Sequence, residues 1–217
     1  MISGRILVCF AVKEEARAFE QRLTPDGAVD ILLTGMGRKN ADQRIREKLA
    51  AQRPALVISS GFAGGCNPDW SRETVLFETE PGSVLERALL SVGLNRGRFL
   101  CADRVASTAA EKRRLWKETQ ADAIEMESEG ICAICRRENI PCATVRIILD
   151  AADEDLPLDF NALLTESYRI NYSKLVASLI RSPGKIIPLL HFQKATRTAA
   201  EKLAHILHRT LVALRQP

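Results

Sequence analysis

Three stretches of this sequence, RILVCF (5–10), ALVISS (55–60) and CATVRIIL (142–149), are apolar almost throughout, and they restrict the fold more than any other feature. A strand with one face in water alternates apolar and polar residues, whereas a strand apolar at every position is covered on both faces. Shorter runs at DILLT (30–34), TVLFE (74–78), RFLCA (98–102) and DAIE (122–125) repeat the signal. Helical spacing fills the intervals. In KEEARAFEQRL (13–23) Ala16, Phe19 and Leu23 share a face, and in RKNADQRIREKLAAQ (38–52) Ala41, Ile45 and Leu49 do. AAEKRRLWKE (109–118) and SEGICAICRREN (128–139) are further helices, and two long helices close the chain. Apolar strands alternating with helices predict an α/β fold, a largely parallel sheet covered on both faces, in one domain over 1–217.

At 217 residues and 46% hydrophobic, the chain can bury a core without covalent staples. Its six cysteines (Cys9, Cys66, Cys101, Cys132, Cys135, Cys142) sit mostly in apolar runs and read as small core residues of a reducing cytoplasm. Cys132 and Cys135 form a lone C-x-x-C, with no second pair to complete a zinc site. No run reaches the roughly 18 apolar residues of a membrane span, and the early ILVCFAV reads as a first strand rather than a leader. The charge is uneven. Residues 169–217 carry nine Lys/Arg against Glu201, while the whole chain is only +4. From Leu189 onward, apolar residues at Phe192, Ala199, Leu203, Ile206, Leu207, Leu211 and Leu214 recur at helical spacing among Lys194, Arg197, Lys202 and Arg209. This predicts a basic C-terminal helix, 185–217, packed on the body or touching an anionic membrane from the periphery. No nucleic-acid partner is expected.

Ligands of parallel sheets bind beyond the carboxyl ends of the strands. Lys13, Glu14 and Glu15 follow the first strand, TGMG (34–37) the second, SGFAGG (60–65) the third, and LDAADEDLP (149–157) the last. Glycines there let backbone amides approach a sugar or an anion, or simply form tight turns. A dinucleotide fingerprint needs a helix directly after its glycines, and CNPDWSRE with Pro68 does not supply one. Asp150 ends an apolar strand in a setting that can raise its pKa and suit it to general acid work. Arg146 is an unusual charge within that strand and needs a carboxylate partner, expected among Asp150, Asp153 and Glu154. His191, His205 and His208 all lie in the last helix, away from the strand ends, so the chemistry belongs to carboxylates, and no metal is implied.

AVKEEA (11–16), TGMGRKNA (34–41), SGFAGG (60–65), IEMES (124–128) and VRIILDAAD (145–153) occur in the order seen in the purine nucleoside phosphorylase/nucleosidase superfamily, which the chain resembles. It is most similar there to the methylthioadenosine/S-adenosylhomocysteine nucleosidases and, in the tail at 181–207, to the hopanoid-associated phosphorylases. The resemblance implies a three-layer fold with a central mixed, largely parallel sheet flanked by helices. It also implies cleavage of the N-ribosidic bond of a purine nucleoside. Glu15 would activate the attacking water and Asp150 would protonate the departing base at N7. Glu127 would hold the ribose hydroxyls over Met126, with Glu125 in support; Arg146 would orient the acids, and backbone at Phe62, Ala63 and Gly64 would line the sugar side. Against the nucleosidases, Leu149 replaces a serine that supports the acid, Phe62 replaces a small polar residue, and Val105 stands where an aromatic stacks on the base. These departures imply a more apolar pocket and an apolar 5′ group, for which adenosylhopane would serve. The resemblance implies no cofactor, apart from phosphate as co-substrate if the enzyme is a phosphorylase. Water is the expected nucleophile, because Glu15 would repel phosphate and the candidate cations Arg38, Lys39 and Arg104 fit solvated positions equally well. Relatives are commonly homo-oligomers, often dimers. A non-catalytic nucleoside-binding protein is the reading from another class.

Overall fold

A computed structural model describes residues 4–24, 28–163, 165 and 171–215. In chain order the elements are β1 (Ile6–Phe10), α1 (Lys13–Glu20), β2 (Val29–Leu33), α2 (Arg38–Ala51), β3 (Leu56–Gly65), β4 (Val75–Thr79), α3 (Val84–Ser91), β5 (Asn95–Arg96) and β6 (Phe99–Cys101). They continue with α4 (Ala109–Thr119), β7 (Ala123–Glu125), α5 (Ser128–Arg137), β8 (Cys142–Asp150), α6 (Phe160–Leu163), α7 (Tyr172–Arg181) and α8 (Ile186–Arg215). The sheet runs β2-β1-β3-β8-β4-β5, and β7 joins the far end of β3 while carrying β6 on its other side. Pairing is parallel at β1–β2, β1–β3, β3–β8, β4–β5 and β6–β7, and antiparallel at β3–β7 and β4–β8. The largely parallel sheet expected from the apolar runs is present, with the mixed character that the resemblance implies.

Period-two alternation divides each central strand between two cores. Ile6, Val8 and Phe10 of β1 with Ala143, Val145 and Ile147 of β8 face α1, α3 and the second half of α8, where Leu203, Leu207, Leu211 and Leu214 are buried. Leu7, Cys9 and Val57 face α2 and α5 through Ala41, Ile45, Ile131 and Ile134. Covering both faces gives three layers. Each fully buried Leu, Ile or Phe contributes roughly 1.5–3 kcal/mol, so these two cores fix the strand ends relative to one another.

Three expectations need correction. SGFAGG (60–65) is not a loop after the third strand: β3 continues to Gly65, because β8 pairs along one side and β7 meets the other at Gly64 and Gly65. The first helix stops at Glu20 rather than reaching Leu23. A further helix, α3, follows Ser83, whose side chain accepts from the Glu86 N–H. The C-terminal helix is present over Ile186–Arg215, and residues 216 and 217 of the expected segment lie outside the described residues. Only its second half packs inward as expected; Ile186, Ile187 and Leu190 are exposed. No helix among the described residues is long and apolar enough to cross a membrane.

Candidate functional site

The far half of β3 is the axis around which the predicted residues gather. Glu15, in the first turn of α1, turns back onto it: the Phe62 N–H donates to Oε1 at 2.8 Å, and those of Ala11 and Val12 donate to Oε2 at 2.9 and 3.2 Å. This contact exists because residue 61 is glycine. A Cβ at Gly61 would lie 2.5 Å from Glu15 Oε1, and its φ of +150° is itself unfavourable for other residues. Burial raises the Glu15 pKa, with Arg146 and the three amides opposing.

Arg146 is opposite Gly61 in the β3–β8 register and is 1% exposed. Its partner is not one of the acids expected from the sequence. Nη2 donates to Glu125 Oε2 at 2.7 Å and to Ser59 Oγ at 3.2 Å, and Glu127 Oε2 is 3.6 Å away. Asp150 shares the strand, but four residues at roughly 3.3 Å each separate the two positions, too far for a side chain running perpendicular to the sheet. Asp153 is exposed, and Glu154 pairs with Arg72 instead. Among the described residues, Arg146 Nε and Nη1 and Ser60 Oγ have no protein partner despite burial. Such groups are satisfied by solvent or ligand in stable proteins.

The IEMES stretch divides its labour. Glu125 is structural: Oε2 accepts the Glu127 and Ser128 N–H groups at 3.0 and 2.8 Å, and the Ser128 hydroxyl donates to Oε1 at 2.8 Å. It thereby caps α5 and anchors Arg146, and those interactions hold its pKa below the usual range against the opposing effect of burial. Glu127 is different. It accepts one N–H, from Gly37 at 2.8 Å, and Gly37 begins α2 at φ 84°. Burial, with Glu125 and Glu15 nearby, pushes the Glu127 carboxyl up to about 7 despite Arg146. Met126 is buried between the two acids.

Asp150 lies at the other side of the axis, opposite Gly64, where a Cβ would come within 3.4 Å of Oδ2. Sequence reasoning missed its partner. Lys112, on α4 and fully buried, donates through Nζ to Asp150 Oδ2 at 2.6 Å and to the Ala151 carbonyl at 2.5 Å. Leu149, on the alternate face, packs towards the large core, so the support expected from a preceding serine comes instead from a lysine on another element. Burial raises the Asp150 pKa, and Lys112 opposes the shift. Oδ1 accepts no hydrogen bond from the described residues. Phe62 and Gly64 are partly exposed and Ala63 is buried, and the Phe62 ring packs against the large core. Val105 is half-buried on the loop before α4, its N–H and carbonyl both bound by Asn161. A hollow of about 230 Å³ lies elsewhere, at the β4–β5 edge between Glu78, Arg96, Arg98 and Asp122.

The phosphorylase superfamily, as a family model, matches residues 77–181. The aminodeoxyfutalosine nucleosidase of Helicobacter pylori strain 26695 is 30% identical over 87 residues, which cover 40% of this chain and 37% of that protein. Its counterpart from Campylobacter jejuni is 28% identical, covering 58% of this chain and 67% of the relative. The chain thus aligns to little more than a third of the length of the Helicobacter proteins. Among solved structures, futalosine hydrolase of Helicobacter pylori superposes with a TM-score of 0.70 at 16% identity, covering 96% of this chain and 97% of that one. The Campylobacter jejuni 5′-methylthioadenosine/S-adenosyl homocysteine nucleosidase gives 0.71 at 16%, covering 96% and 99%. At that identity the superpositions establish the fold.

Proposed function

From the match of residues 77–181 to the phosphorylase superfamily and the shared fold, we propose that the chain is a nucleosidase cleaving the N-ribosidic bond of an adenine nucleoside. One observation carries the reading: Glu15 and Asp150 flank a short glycine-containing strip of β3, while Glu127 is held at its edge by Gly37. A ribosyl centre that becomes cationic needs carboxylates beside it, and the departing base needs a proton.

In this scheme Glu127 accepts the 2′- and 3′-hydroxyls in its ionised form. Glu15, made more basic by burial, takes a proton from the attacking water. Asp150 presents Oδ1 to N7 of the base while Lys112 holds Oδ2, and the proton Oδ1 gives up is replaced from solvent after the base departs. Water is preferred over phosphate because two of the three candidate cations are committed elsewhere, Arg38 to Glu129 and Arg104 to Glu111. An apolar 5′ substituent, with adenosylhopane as the extreme case, is the finer proposal, supported by the apolar, partly exposed Phe62. Exposed Ile186, Ile187 and Leu190 beside Lys185 and Lys194 suit contact with an anionic bilayer from which such a substrate would come.

The test is adenine release from a panel of 5′-modified adenosines, with and without phosphate. Release without phosphate, reduced by about two to four decades in Glu15→Gln and Asp150→Asn, is expected. Absolute phosphate dependence selects the phosphorylase, and binding without turnover of any nucleoside selects a binding protein.

A further inference from the structure

The lone C-x-x-C points to Cys132 and Cys135, but the fold brings a different pair together. Cys132 Sγ of α5 lies 2.7 Å from Cys142 Sγ at the start of β8. Unbonded heavy atoms usually stay ~3.5–4.0 Å apart, and a disulfide is about 2.0 Å long. The two sulfurs therefore need to move only a few tenths of an ångström each to bond. Both residues are partly exposed, whereas Cys135 is buried, and all six cysteines are free. No group of three or more His, Cys, Asp or Glu among the described residues is arranged to hold a metal ion, so these thiols do not form a metal nest.

We propose that Cys132 and Cys142 form a two-electron redox pair that closes to a disulfide when the protein meets a hydroperoxide. The balance is simple. The Cys132 thiolate attacks the peroxide O–O bond, giving a sulfenic acid and releasing an alkoxide or hydroxide that takes up a proton. The Cys142 sulfur then attacks the sulfenic sulfur, the S–S bond forms, and water leaves with the thiol proton. Two thiols are oxidised and one peroxide is reduced; an external dithiol reverses the step. Cys132 is assigned the first attack because its sulfur, unlike that of Cys142, also has the Thr144 hydroxyl at 3.7 Å, a donor that favours the thiolate. The contacts with Cys142 and Thr144 lower its thiol pKa against the effect of burial.

The bond would have a defined mechanical consequence. Cys142, Thr144 and Arg146 follow one another on one face of β8, and Cys132 already touches Thr144 Oγ1 at 3.7 Å. On α5, Ser128 holds Glu125, which Arg146 also grips. Closure ties the helix of Ser128 to the strand of Arg146, beneath the acid cluster. This proposal stands apart from the nucleosidase reading, since its readouts are thiols and melting temperature.

Reduced full-length protein treated with a small excess of hydrogen peroxide should lose two of its six titratable thiols and two hydrogens in intact mass. Peptide mapping should join the segments containing Cys132 and Cys142, and dithiothreitol should restore all six thiols. The oxidised protein should melt higher than the reduced one. Cys135→Ser should behave like the unaltered protein, Cys132→Ser should lose no thiols, and Cys142→Ser should accumulate a sulfenic acid that dimedone traps. Linkage mapping to Cys135, thiol loss in Cys132→Ser, or six thiols remaining after treatment each overturns the proposal.

Discussion

Replacing Glu127 with glutamine isolates the cost of ionising a buried carboxylate, because the amide keeps the shape and stays neutral at every pH. Glu127 is 8% exposed and its carboxyl is pushed from 4.5 to about 7. A carboxyl whose pKa is higher in the folded than in the unfolded protein contributes stability that is complete below the unfolded value. That contribution is lost as pH rises through the folded one. The window here opens near 4.5 and closes just above 7. At ~1.4 kcal/mol per pKa unit, the wild-type protein forfeits up to roughly 3 kcal/mol across it, and the variant forfeits none. Urea unfolding followed by circular dichroism at pH 4, 6, 7.5 and 8.5 should show near-equal stabilities at pH 4. At pH 8.5 the variant should be more stable by up to that roughly 3 kcal/mol. On the proposed reading, in which Glu127 accepts the ribose hydroxyls in its ionised form, nucleoside binding should move the opposite way: the stabilised variant should be the poorer binder. A stability difference that does not change between pH 4 and 8.5 would falsify the assignment of the shifted carboxyl to Glu127.

Two other substitutions probe the neighbouring contacts. Lys112→Met leaves Asp150 buried without its cation and should cost about 3–5 kcal/mol; the loss should be largest where Asp150 is ionised and shrink as falling pH protonates it, and adding Asp150→Asn should recover much of it in urea titrations. Gly61→Ala places a Cβ 2.5 Å from Glu15 Oε1 at φ +150°, so it should destabilise by about 1–3 kcal/mol. It should also lower adenine release as far as Glu15→Gln does, whereas a variant with unchanged turnover would show that the Gly61–Glu15 approach is dispensable.

The strands were legible in the sequence because a sheet covered on both faces leaves little polar alternation, and the positions of Glu15, Glu127 and Asp150 at strand ends followed from that. What escaped depended on distance in space. SGFAGG reads as a turn because glycine is the usual turn residue, yet pairing on both sides keeps it in β3. For Arg146 the sequence offers acids close by in the chain, but the rise along β8 carries Asp150 out of its reach, and β7 brings Glu125 to it. Lys112 looked like one more charge in EKRRLWK. Its signal was position: it lies three residues after buried Ala109 and four before partly buried Trp116, on the inward stripe of α4. The missed α3 had a signature as well, Ser83 followed three residues later by Glu86, the pattern of a capping box.

The charge balance around Arg146 explains how such an arrangement could discriminate between a resting nucleoside and one whose bond is breaking. Glu15, Glu125 and Glu127 surround a single guanidinium, and all three influence its pKa. Were all three ionised, two negative charges would be left uncompensated in a buried site, which is costly. The chain resolves this unevenly. Glu125 remains ionised on Arg146, while Glu15 and Glu127 are held towards their protonated forms. A neutral nucleoside entering the site offers hydroxyl donors but no cation, so it offsets only part of that deficit. A ribosyl group losing its base develops positive charge beside the same carboxylates, and ionising them becomes favourable at that moment. On the proposed reading, the raised pKa values are therefore a bias towards binding the transition state more strongly than the substrate, the one kind of binding that speeds a reaction. It follows that a cationic ribose mimic should bind more tightly than its neutral isostere, and that Glu127→Gln should narrow the gap between them.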